Sequence, residues 1–172
     1  MLKTTIKASV LAVMSVAATM AGAQEYQASD RAKQLAKKYL IADTHIDVPY
    51  RIHNSWEDVT VATESGDFDY PRAVEGGLNV PFMAIYIPAE YEQTGGSIEL
   101  AHDLIDSMEA LVGRAPDKFA LAYSPAEARE NMNNGLMSIA MGMENGTPME
   151  GDLDNLEMFY ERGVRYISFA HS

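Results

Sequence analysis

From Ser29 onward the chain shows two apolar patterns in turn: residues spaced three or four apart, and short continuous runs. The first predicts helices packed by one face, the second strands buried in a sheet. Ala32, Leu35, Ala36 and Tyr39 predict a helix from Ser29, a suitable N-cap, to Leu40. The run Tyr39-Leu40-Ile41-Ala42 predicts a first strand reaching about Asp47. Pro49 opens a polar stretch read as loop as far as Tyr70, and a short helical turn follows over Pro71 to Glu75, stopped by Gly76-Gly77. Leu78 to Ile87 predicts a second strand, in which Pro81 is awkward. Ile98, Ala101, Leu104, Ile105, Met108, Leu111 and Val112 predict a helix from Ser97 to about Gly113. Lys118 to Tyr123 predicts a third strand, and Ser124-Pro125-Ala126-Glu127 is a capping box opening a helix closed by Gly135. Leu136 to Met143 predicts a fourth strand, Asp152 to Arg162 a helix ended by Gly163, and Val164 to Ala170 a fifth strand. Strands alternating with helices imply a parallel sheet with helical crossovers, here expected in sequential strand order.

The pattern before Gln24 differs. Lys3 and Lys7 precede an apolar stretch, Ala8 to Met20, which Ala21-Gly22-Ala23 closes with small residues. That is the composition of a cleavable secretion signal. Residues 1–23 are therefore expected to be a leader and residues 24–172 a folded domain, exported to the periplasm or beyond the cell. The stretch is short for a membrane span, and no cysteine follows it to carry a lipid, so no transmembrane or lipid anchor is expected. The 172 residues contain no cysteine, so any metal site must be built from histidine and carboxylates. A hydrophobic content of 47% supports a packed core rather than disorder. The net charge is −12 with no basic cluster, which excludes nucleic acid as a partner.

In parallel α/β folds the chemistry gathers beyond the carboxyl ends of the strands. The first predicted strand ends in Asp43-Thr44-His45-Ile46-Asp47, the fourth in Glu144 and the fifth in His171. Strand alternation would turn Asp43, His45 and Asp47 to one face. Imidazole and carboxylate at i and i+2 can share one cation such as Zn²⁺. On the fourth strand Ser138, Ala140 and Gly142 share a face with Glu144, leaving space for something bulky such as a metal centre with its substrate. His53 is read as solvated, His102 as a surface residue, and the methionines as core. Trp56 follows the metal motif on a loop, where pocket lining and simple packing are equally supported.

Five segments, in order, resemble the membrane dipeptidase (renal dipeptidase-like) family of zinc peptidases. They are Asp43 to Pro49, Asp69 to Gly77, Phe82 to Pro88, Met143 to Gly146, and Tyr160 to Ser172. The resemblance implies a partial (β/α)₈ barrel, about five of eight strands, and a binuclear zinc site in the full-length protein. It implies that His45 and Asp47 bind one zinc, that Glu144 bridges both, and that His171 contacts the substrate. Asp43 is a candidate for orienting His45 from outside the ligand set. The implied reaction is hydrolysis of small dipeptides by a metal-activated water. The family takes two further histidine ligands and a catalytic aspartate from later strands. The chain is therefore expected to be the front part of such an enzyme, inactive alone, with a homodimer left open. Two other readings stand beside it: another amidohydrolase-type hydrolase, disfavoured because Asp47 replaces the second histidine of His-x-His, and a non-catalytic exported binding module.

Overall fold

The computed structural model describes residues 27–169 and His171. The expected leader lies outside these residues. Among the described residues no helix is long and apolar enough to cross a membrane.

The core assembles on the longest helix. This helix, α5 (Ser97–Arg114), buries Leu100, Ala101, Leu104, Ile105, Met108 and Leu111 along one face. The earlier helices are α1 (Asp30–Lys38), α2 (Val48–Asn54), α3 (Tyr70–Gly76) and α4 (Tyr91–Thr94); α6 (Pro125–Asn133) and α7 (Leu153–Glu161) follow. The strands are β1 (Ala42–Ile46), β2 (Val80–Tyr86), β3 (Phe119–Leu121), β4 (Met137–Glu144) and β5 (Val164–Ser168). All pair in parallel. The two faces of β4 follow its alternation. Met137, Ile139, Met141 and Met143 join the large cluster under α5, while Ala140 joins a smaller one with Val80, Ala122 and Ala128. Each fully buried Ile, Leu or Met contributes roughly 1.5–3 kcal/mol relative to an exposed position.

Strand order departs from the sequential expectation. The path is β1-β2-β4-β3, and β5 also pairs with β4. Consecutive β4 amides serve opposite edges: Met137 N–H donates to Lys118 O and Ser138 N–H to Asn79 O. β2 thus runs along one edge of β4, while the other edge carries β3 beside residues 137–139 and β5 beside 141–144. β3 has three residues and flanks only the first part of the eight-residue β4.

Three local expectations are also corrected. The polar stretch after Pro49 begins with a helix, because proline fits the first helical turn, where its missing N–H costs nothing. The apolar stripe of α1 is not buried: no α1 residue is, and Leu35 and Tyr39 are exposed. α1 instead meets α3 by close backbone approach at Ala36 and Gly77. His102 is not a plain surface residue. It is half-buried, lies within 2.8 Å of an Arg162 guanidinium nitrogen, and packs on Phe159.

Candidate metal centre

β1 ends at Ile46, one residue short of Asp47, and its alternation is interrupted. Asp43 lies opposite Pro81 and Ile46 opposite Met83, so β1 spends three steps where β2 spends two. The extra residue makes a bulge at Thr44–His45, a device that re-aims a side chain. Pro81 stands ahead of the first β2–β4 register pair, Phe82 with Ala140, so its missing N–H leaves that ladder intact. His45 therefore reaches the mouth of the sheet through a bulge, not through the even alternation expected for Asp43, His45 and Asp47. The Asp43 carboxylate accepts the backbone N–H of His45 at 3.0 Å, so it steadies the bulge and not the ring.

Asp47 occupies the N-cap position of α2, yet its carboxylate makes no capping bond. It turns to His45 instead, with Oδ1 3.2 Å from Nε2. Glu144, the last residue of β4, comes from the far side with Oε2 3.1 Å from the same Nε2. Its other oxygen lies 3.4 Å from His171 Nε2. One carboxylate thus spans two imidazoles. The turn after Glu144 is pinned on three sides. Asn145, at φ 79, donates its side-chain N–H to Ile87 O, accepts from Thr147, and gives its backbone N–H to Ser168 Oγ. Asparagine tolerates this left-handed backbone better than most residues.

The four predicted residues converge. His45, Asp47, Glu144 and His171, with Tyr50 and Tyr86, line an open cavity of about 290 Å³. The Tyr86 ring meets His171 edge-on at 5.1 Å and Tyr50 likewise at 5.1 Å. Burial pushes the Tyr86 phenol above its ordinary range, and the charge on Glu144 adds to this. Tyr166 is raised for the same reasons, burial first, then Glu144, Asp47 and Asp43. Both phenols hold their protons at neutral pH.

The donor set fits a small divalent cation. One imidazole nitrogen and two carboxylate oxygens lie within 4.8 Å of one another. Ligand atoms sharing a tetrahedral ion at about 2.0–2.2 Å stand about 3.3–3.6 Å apart, so the 3.1–3.2 Å separations here need little adjustment.

Three residues of the site were not legible in the pattern. Asn145 had no mark of its own beside Glu144, Tyr166 lay inside the fifth predicted strand, and Gly142 belonged to the small-residue face read as space for something bulky. The space over Gly142 is not left for a metal and substrate: the Tyr166 ring fills it. The run Ser138, Ala140, Gly142 did signal a bulky neighbour, but the neighbour is a side chain of the same chain. His53 is exposed and stacks near Tyr50, and Trp56 is exposed under the Arg114 guanidinium.

The family model for membrane dipeptidase (peptidase family M19) matches residues 29–172. Dipeptidase aclJ of Aspergillus oryzae is 29% identical over 114 residues, covering 62% of this chain and 27% of that protein. Dipeptidase ataJ of Aspergillus terreus is 25% identical over 154 residues, covering 83% and 38%. Among solved structures, the probable dipeptidase PvdM from Pseudomonas aeruginosa superposes with a TM-score of 0.73 at 25% identity, covering 82% of this chain and 37% of that one. A Rhodobacter sphaeroides metallopeptidase, solved with a phosphinate mimic of the dipeptide L-Ala-D-Ala, shares the fold with a TM-score of 0.66 at 24% identity, covering 76% and 45%. The chain spans less than half the length of the relatives it matches.

Proposed function

Because the chain belongs to the membrane dipeptidase family, peptidase family M19, we propose that it carries one half of the centre of a zinc dipeptidase. In this reading His45, Asp47 and Glu144 hold a zinc ion, and Glu144 offers its second oxygen toward a second ion. The observation that carries it is the meeting of two carboxylates on one imidazole nitrogen at the mouth of a parallel sheet. A bound divalent cation would supply Lewis acidity, polarising a scissile carbonyl and making water nucleophilic at neutral pH. The chain's own residues do the rest. Glu144 ties β4 to the ends of β1 and β5. His171, half-exposed beside the cavity, offers an N–H to the oxygen that gains charge as a peptide carbonyl becomes tetrahedral. Tyr50 and Tyr86 give the cavity an apolar wall beside His171. The substrates in this reading are small dipeptides, as the names of the relatives suggest. Export follows from the Lys3/Lys7 start, the apolar stretch and Ala21-Gly22-Ala23.

In this reading the described ligand atoms would suffice for one ion. The 172-residue chain is therefore expected to take up at most one zinc and to turn over no dipeptide by itself, since catalysis needs the whole positioned set. Elemental analysis of the purified chain and release of free amino acids from a dipeptide test this together. Two bound zincs with robust hydrolysis would show that the ligands are misassigned, and no zinc at all would remove the metal reading. In a protein of the relatives' length, Glu144→Gln is expected to abolish most dipeptide hydrolysis.

A further inference from the structure

Tyr166 comes from β5, yet its hydroxyl ends at β1, on the other side of β4 and β2. Three features build that reach. β5 is bulged where Tyr166 sits, spending three steps from Val164 to Ile167 against two on β4, from Met141 to Met143. Gly142 on β4 lacks the Cβ that would overlap the tyrosine ring. Phe82 on β2 then flanks the ring at 5.7 Å. The hydroxyl donates to Thr44 O at 2.8 Å and lies 3.3 Å from His45 Nδ1. The two bulges of the sheet, one on β1 and one on β5, thus aim the two side chains that meet.

A phenol has one hydrogen. The carbonyl of Thr44 can only accept, so that hydrogen is committed there, and toward His45 the phenol oxygen can only accept. The partner it accepts from is a hydrogen on Nδ1. A neutral imidazole protonated at Nδ1 has a bare lone pair at Nε2, the nitrogen that faces Asp47 and Glu144. That lone pair, turned toward the two carboxylate ligands, is the donor a divalent cation takes up.

We infer that Tyr166, seated on Gly142, is a positioning residue that holds His45 in its Nδ1-protonated tautomer and so presents Nε2 to a divalent cation. This rests on the proposed metal reading for its purpose, though not for its geometry. Tyr166 does not touch the cation or the substrate in this scheme. It acts through His45.

The test uses the ¹⁵N-labelled 172-residue chain, without metal, at a pH where the ring is neutral. Long-range ¹H–¹⁵N spectra tell a protonated Nδ1 from a protonated Nε2, and a His45→Gln variant identifies the His45 signals. Wild type is expected to carry the proton on Nδ1. Tyr166→Phe keeps the ring on Gly142 but removes the oxygen, and is expected to move His45 toward the Nε2-protonated form. Its affinity for Zn²⁺, read by calorimetric titration, is expected to fall about ten- to hundredfold, with the melting temperature nearly unchanged. Gly142→Ala displaces the ring with its oxygen intact and is expected to lose affinity similarly. If that variant does not fold, Tyr166→Phe decides alone. A wild-type His45 protonated on Nε2, or a Tyr166→Phe variant with unchanged tautomer, overturns the inference. Wild type that binds no Zn²⁺ overturns the proposed function instead, and the spectra still decide the role of Tyr166.

Discussion

Asp69→Asn is expected to cost stability that depends on pH in a defined window. The Asp69 side chain is only 1% exposed and caps α3. It accepts from Arg72 N at 2.8 Å, Arg72 Nε at 2.7 Å, Thr63 N at 3.0 Å and Thr63 Oγ1 at 3.3 Å. Burial alone would raise its pKa, but these donors and the Arg72 charge outweigh it and lower the carboxyl from 3.8 to about 2. A depressed acid stabilises the fold above its unfolded pKa and ceases to as pH falls through the folded one. That depression corresponds to about 2.5 kcal/mol at pH 7, of which about 2 kcal/mol disappears between pH 4 and pH 2. Asparagine also sets an amide N–H against existing donors, which adds roughly 1 kcal/mol independent of pH. Urea unfolding of both proteins at pH 7, 4, 3 and 2 measures this. The difference between them should be about 3–4 kcal/mol at pH 7 and shrink to about 1 near pH 2. A difference that stays flat across that range would refute the argument that the carboxylate charge, rather than its shape, holds this cap.

Other outcomes follow from the same structure. Asp47→Asn should weaken zinc binding by the 172-residue chain less than Glu144→Gln does, because Asp47 is the more exposed ligand, 71% against 20% for the side chains; competition titration against a chromogenic chelator ranks them. Gly163→Ala should cost about 1–3 kcal/mol in thermal unfolding, since φ is +98 there and the new methyl would stand 2.6 Å from Tyr123 Cε1.

What was legible in the sequence was local. A capping box and glycine stops located α3, α6 and α7 within a residue or two, because those signals act through the nearest backbone amides, and apolar spacing located α5. The strand-end rule named His45, Asp47, Glu144 and His171, and the fold brings all four to one cavity. What was hidden is non-local. Nothing along β3 says that it will stand beside the start of β4 and not between β2 and β4. Pro49 carries the same local signal at a loop entrance and in a first helical turn. A bulge cannot be read from one strand, because it is a mismatch between two. For that reason the even alternation expected through Asp43 and Asp47 failed at the residue where the site needed it to fail.

The displacement of β3 has a geometric consequence for chemistry. Neighbouring strands lie about 4.8 Å apart, so β1 and β4, separated by β2 alone, stand two such spacings from each other. An imidazole from one and a carboxylate from the other close that gap to 3.1 Å. A third strand inserted between them would widen it by about another 5 Å, more than either side chain could recover by changing rotamer. The shortest strand of the sheet therefore sets the span of the centre by where it does not lie.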